Sequence, residues 1–180
     1  MNYQTCNTLF PTRNAAIRGL IAEWLDLPRL ADCTEPAAEL VAQARRDGWF
    51  ADFEAQYGAI DDTDAAEFVD EMRDDAREDR FRDALAMLDV YGLDSDGDDF
   101  ECSGLALLLD NEDADEIRDA LRRLVAGEMA VPVGGGAGLG VVLTALSDTA
   151  LEAMPASELR DAALDGDAGA RVRLAMALNG

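Results

Sequence analysis

Carboxylates are the one reactive group this chain supplies in quantity. Its 180 residues hold 38 Asp and Glu against 15 basic residues, all of them arginine, and no histidine. Histidine is the side chain that most often moves protons near neutral pH, and it is the commonest metal ligand. An enzyme built from this composition would have to work through Asp and Glu. The densest candidates are Asp94, Asp96, Asp98, Asp99 and Glu101, grouped around Asp94-Ser95-Asp96-Gly97-Asp98-Asp99. A calcium loop of the EF-hand type needs oxygen ligands at its first and twelfth positions around a glycine at the sixth. With Gly97 placed sixth, those positions fall on Gly92 and Ser103, so the pattern fails. The run Gly134-Gly135-Gly136-Ala137-Gly138 has neither G-x-G-x-x-G register nor a following Gly-Lys-Ser/Thr, and it reads as a hairpin tip rather than a phosphate loop. No catalytic residue, metal or cofactor is expected. A carboxylate-based, metal-dependent enzyme is the weakest of three readings, because no nucleophile and base stand in a recognisable pair.

The distribution of charge is more informative than its total. Residues 1–50 hold six acids and five arginines, and residues 120–180 hold seven and five. Residues 51–119 hold 25 acids and five arginines, so the middle carries −20 of the net −23. Such a field repels DNA, RNA and anionic membrane and draws the chain towards basic surfaces. Within the acidic stretch, Asp70/Glu71, Asp74/Asp75 and Glu78/Asp79 recur every four residues. On a helix, successive pairs stand about 6 Å apart along the axis. That spacing is close to the separation of neighbouring phosphates on one nucleic-acid strand. Arg73, Arg77, Arg80 and Arg82 cut across the ladder and offer i,i+4 partners. A salt-adapted domain would also be rich in Asp and poor in Lys. Adaptation of that kind spreads over the whole surface, whereas both flanks here are close to neutral.

The elements that must carry these groups follow from caps and periodicity. Tyr3–Phe10 alternates like a short strand. Thr12 is placed to cap a helix whose Ile17, Leu20, Ile21 and Trp24 share one face, ended by Pro28. Thr34, Pro36 and Gly48 frame a second helix, followed by the aromatic cluster Trp49, Phe50 and Phe53, expected to plug a core. The long acidic helix is expected to follow Asp61-Asp62-Thr63-Asp64 and run to about Tyr91, with Asp64 and Glu67 at capping-box spacing and an apolar stripe from Phe68 to Tyr91. Gly104–Leu109 reads as a buried strand or a helical turn. A helix over Ile117, Leu121 and Leu124 precedes two strands, Met129–Val133 and Leu139–Leu146, joined by the glycine run. Ser147, Ser157 and Asp167 are placed to cap short C-terminal helices.

The expected fold class is therefore α+β and predominantly helical. Residues 1–92 form a helical lobe with a short N-terminal strand and the long acidic helix. Residues 93–180 form a lobe with a small antiparallel hairpin or sheet and short helices. The turn at Gly92–Asp99 is the boundary, with one compact domain as the alternative. No apolar run reaches the roughly 18 residues of a membrane span. The N-terminus has no secretory pattern, and Cys6, Cys33 and Cys102 are odd in number and widely spaced. These features point to a cytoplasmic protein with free thiols.

With carboxylates ranked along helices, mainly within residues 61–119, the chain resembles the acidic anti-restriction and anti-CRISPR proteins of phages and other mobile elements, some of which mimic DNA. The resemblance is one of charge layout, and no motif transfers a residue's role. It implies a protein-binding inhibitor that occupies the positively charged nucleic-acid surface of a host defence complex, such as a restriction enzyme or CRISPR effector. The partner-binding residues would be Asp70, Glu71, Asp74, Asp75, Glu78, Asp79, Asp94, Asp96, Asp98, Asp99 and Glu101. Neither nucleic acid nor membrane would be bound directly, and the near-neutral flanks leave a homodimer contact open.

Overall fold

A computed structural model describes residues 2–5, 8–134 and 140–180, except the side chain of Pro28. The fold is α+β and mostly helical. The chain divides into two compact units, residues 1–80 and 81–180, with the division inside one long helix, α5 (Asp62–Ala86). The Gly92–Asp99 stretch, expected as the boundary, is instead the turn of a hairpin within the second unit.

The first unit begins with β1 (Tyr3–Thr5) and β2 (Thr8–Phe10), which pair antiparallel with Tyr3 opposite Phe10. The single strand expected there is thus two. In α1 (Arg13–Trp24), Thr12 caps the N-terminus, its hydroxyl accepting the Ala15 N–H at 3.2 Å. The one-turn α2 (Leu27–Leu30) leads to α3 (Ala37–Arg46). Pro36 occupies the cap position of α3 and no side chain caps it, so Thr34 does not play the role expected of it. The end of α3 is built as a Schellman motif. Gly48 takes φ 74°, its N–H reaches Arg45 O at 3.1 Å, and the Trp49 N–H reaches Ala44 O at 2.9 Å. A side chain with a Cβ is strained at that φ, which is why glycine stands there. The turn delivers Trp49 to the core edge, where its indole N–H donates to Leu20 O at 2.8 Å. Phe50 and Phe53, the latter on α4 (Ala51–Tyr57), fill the core with Ile17, Leu20, Val41 and Val69. Each fully buried aliphatic or aromatic side chain here contributes about 1.5–3 kcal/mol.

α5 starts one turn earlier than capping-box spacing suggests. Asp61, not Asp64, is its cap: one Asp61 carboxylate oxygen accepts the N–H of Thr63 at 2.8 Å and of Asp64 at 3.4 Å. The helix stops at Ala86, so Tyr91 belongs to a strand.

The second unit is layered around an antiparallel sheet of order β4-β3-β6-β5. Its strands are β3 (Asp89–Leu93), β4 (Asp99–Ser103), β5 (Ala130–Val133) and β6 (Val141–Thr144). Side chains alternate between two cores. Val90, Val131, Val133, Val141 and Leu143 pack with α6 (Gly104–Asp110) and α7 (Ala114–Val125). Ala130, Val142 and Leu146 pack with α8 (Asp148–Glu152), α9 (Glu158–Leu164) and α10 (Ala168–Leu178). Ser147, Ser157 and Asp167 cap α8, α9 and α10 as their positions in the sequence suggest. Gly104–Leu109, left open between strand and helix, lies in α6 with Ser103 as its cap. Of the glycine run Gly134–Gly138, expected as a hairpin tip, residues 135–138 lie outside the described residues. Among the described residues no helix is long and apolar enough to cross a membrane.

Candidate functional site: the carboxylates of α5 and of the β3–β4 hairpin

The apolar face of α5 buries Ala65, Phe68 and Val69 in the first core. At about 100° per residue this turns the carboxylates at 67, 70, 71, 74 and 75 away from that face. Glu67, Asp70, Glu71, Asp74, Asp75 and Asp79 are all exposed, whereas Glu78 is half-buried. Glu67 and Asp75 have no ion-pair or hydrogen-bond partner among the described residues. Glu67 lay outside the paired pattern in the sequence, although its i−4 spacing from Glu71 already placed it on the same face.

The arginines of α5 do not simply neutralise this ladder through i,i+4 pairs. Arg73, Arg77 and Arg80 form their own stripe, one turn apart, and grip the segment between α2 and α3. Arg73 donates to Glu35 O at 2.7 Å, Arg77 to Ala31 O at 3.2 Å, and Arg80 pairs with both carboxylate oxygens of Asp32, one at 2.9 Å. The same guanidinium groups reach back three residues, Arg73 to Asp70 at 3.1 Å and Arg77 to Asp74 at 3.6 Å. Arg73 is drawn inward, its side chain only 11 % exposed. On the other flank Arg18 pairs with Glu71 and lies over the Phe68 ring, 4.7 Å from its centroid. The Arg80 guanidinium, by hydrogen bond and charge, holds the Asp32 carboxyl below its usual range. Exposed ion pairs of this type contribute about 0–1 kcal/mol each, so the stripe orients the 31–35 segment more than it stabilises it.

The second group of carboxylates sits on the β3–β4 hairpin. Asp94 is occupied by the turn itself: one of its oxygens accepts the N–H of Asp96 and of Asp98, each at 2.9 Å. Gly97, at φ 87°, completes a three-residue turn closed by the Asp94 N–H to Asp98 O at 3.0 Å. The Asp-rich stretch is therefore turn chemistry. Among the described residues no group of three Asp, Glu or Cys is placed to hold a metal ion. Asp96, Asp98, Asp99 and Glu101 are exposed. Glu101 stands opposite Tyr91 in the register, and the Tyr91 phenol is held above its usual value first by burial and then by that carboxylate.

Sequence reasoning missed Arg171. It is 6 % exposed, on α10, whose other arginine, Arg173, is exposed, and its guanidinium donates to Leu146 O at 2.8 Å, Asp148 at 2.5 Å and Ala163 O at 3.2 Å. The only cue was a charged residue between the buried positions Ala170 and Val172. A cavity of about 270 Å³ borders Arg171, Tyr91, Asp99 and Glu101. In the first unit a larger one, about 440 Å³, is lined by Gln4, Thr5, Asp47, Trp49, Asp52 and Phe53.

Comparison with known protein families, curated proteins and solved structures finds no significant match to this chain.

Proposed function

We propose that this chain is an acidic protein-binding inhibitor that occupies a positively charged, nucleic-acid-binding surface on another protein, with a restriction enzyme or CRISPR effector as the intended class of target. The observation that supports it is the outward side of α5. Carboxylates at 67, 70, 71, 74 and 75 stand there in helical succession, while the interspersed arginines are directed towards the 31–35 segment. A basic groove meeting this side encounters carboxylates before guanidinium groups, and complementary charge of this kind sets association rate and specificity. Asp96, Asp98, Asp99 and Glu101 give the hairpin of the second unit an acidic character of its own. Asp94 contributes less, because its carboxylate is committed to the turn.

The test is capture from a bacterial lysate containing restriction and CRISPR complexes, with elution by rising salt and by competing DNA. A captured nucleic-acid-binding complex that DNA displaces is the expected result. A variant carrying Glu67→Gln, Asp70→Asn, Glu71→Gln, Asp74→Asn and Asp75→Asn should lose that capture while remaining folded. Capture unaffected by DNA, or unchanged in the variant, would remove the mimicry reading.

A further inference from the structure

The four-stranded sheet has two outer strands, and they are treated differently. Along β5 the Ala145 N–H bonds Met129 O, which sets the pairing so that residues 130, 132 and 134 point their backbone groups away from β6. No outward N–H is left free. The Asn179 side chain accepts the N–H of Ala130 at 3.0 Å and donates to Ala130 O, in the manner of a neighbouring strand. Pro132 has no N–H to offer, and the Gly134 N–H donates to Glu116 at 2.9 Å.

On β4 the bond from the Asp94 N–H to Asp98 O at the turn, and from the Gly104 N–H to Leu88 O at the other end, fix the alternation. Phe100 and Cys102 then pair inward with Gly92 and Val90, and Asp99, Glu101 and Ser103 turn their backbone groups outward. Ser103 is taken up as the cap of α6. The backbone N–H and C=O groups of Asp99 and Glu101 have no partner among the described residues. Their side chains are carboxylates on one face of the strand, beside the cavity that also borders Tyr91 and Arg171. The Arg171 charge is already met by Asp148, so this strand and its cavity are net acidic.

We propose that β4 is a docking edge for an extended segment of a partner protein in which Arg or Lys alternates with apolar residues. Its backbone would add a fifth strand through Asp99 and Glu101. Its basic side chains would lie opposite those carboxylates as cross-strand pairs, one of them entering the cavity. The proposal goes beyond the ladder on α5 and does not depend on it.

The probe is a blocked hexapeptide alternating Arg and Val, added to the full-length chain and followed by backbone amide NMR and hydrogen exchange. The expected result is slowed exchange of the Asp99 and Glu101 amides, with those of β5 unchanged. Glu101→Pro removes an outward donor and the carboxylate without breaking a bond to β3, so it should weaken binding about tenfold, the scale of one lost backbone hydrogen bond with its charge contact. Glu101→Gln, which keeps the donor, should weaken it less. A hexapeptide of the same composition with its edge-facing amides N-methylated should not bind, which tests the idea without altering the chain. The variant with the α5 ladder neutralised should bind as the parent does. Unchanged exchange at Asp99 and Glu101, or equal binding of the N-methylated peptide, would overturn the proposal.

Discussion

The guanidinium of Arg171 lies 3.9 Å from the centroid of the Tyr91 ring, joining α10 to the centre of the sheet. It also donates to two main-chain carbonyls, that of Leu146, which no backbone amide meets among the described residues, and that of Ala163, which the Gly166 N–H also reaches at 3.3 Å. Replacing Arg171 with Ala would leave the Leu146 carbonyl unpaired, Asp148 without its partner and a gap over Tyr91. The expected loss is about 2–4 kcal/mol in urea unfolding monitored by a second-unit probe such as Tyr91 fluorescence. Arg171→Lys should recover only part, since an ammonium group cannot reach the same acceptors in one plane. A loss below about 0.5 kcal/mol, the range of ordinary surface changes, would show that the cluster is not structural.

Gly92 offers a steric test of the hairpin. A Cβ at this position would stand 2.4 Å from the tip of Phe100 and 3.0 Å from the carbonyl oxygen of Val142. The ring can swing, but the carbonyl is fixed in the ladder between β3 and β6. Gly92→Ala should cost about 1–3 kcal/mol through overpacking. Thermal melts of the variant should show it, and an unchanged midpoint would mean that β3 and β6 are farther apart in solution.

Acid should weaken the first unit through specific carboxylates. The N–H groups of Thr63 and Asp64 hold Asp61 below the ordinary value of 3.8, and Arg80 does the same for Asp32. A carboxyl whose pKa is depressed on folding contributes stability that is complete above its unfolded value and is lost as pH falls through the folded one. The melting temperature should therefore fall below about pH 4. Asp61→Ala should lower it at neutral pH by removing the cap, and should flatten the acid limb. Parallel curves for parent and variant between pH 7 and pH 3 would rule Asp61 out as a contributor.

Salt should stabilise the chain. With −20 of the net charge in residues 51–119, self-repulsion opposes the compact state, and it is screened as the Debye length shortens. The melting temperature should rise between about 0.02 M and about 0.3 M NaCl, where screening falls to molecular dimensions. A fall over that range would show that ion pairs such as Arg80–Asp32 outweigh repulsion.

Much of the helical framework was legible in the sequence because caps act locally. Thr12, Ser147, Ser157 and Asp167 each bond an amide three residues ahead, so the signal and its effect occupy the same few residues. The β3–β4 hairpin was not legible. Leu88 and Tyr91 continue the spacing of the α5 stripe, and the apolar residues that claim Val90 for a sheet, Leu143 and Val141, lie some fifty positions away. The ladder on α5 could be read from spacing, but the direction of its arginines could not. An arginine beside carboxylates on a helix suggests a local pair, whereas Arg73, Arg77 and Arg80 have acceptors at residues 31–35, fixed only when the core forms.

The unequal edges of the sheet also bear on how this chain behaves at high concentration. Fibrous growth by strand stacking needs two pairing surfaces on every copy, one to receive and one to extend. Asn179, Pro132 and Glu116 close one of them. A molecule so built can accept a single strand and then has nowhere to pass the pattern on, so pairing at this sheet ends with the first guest.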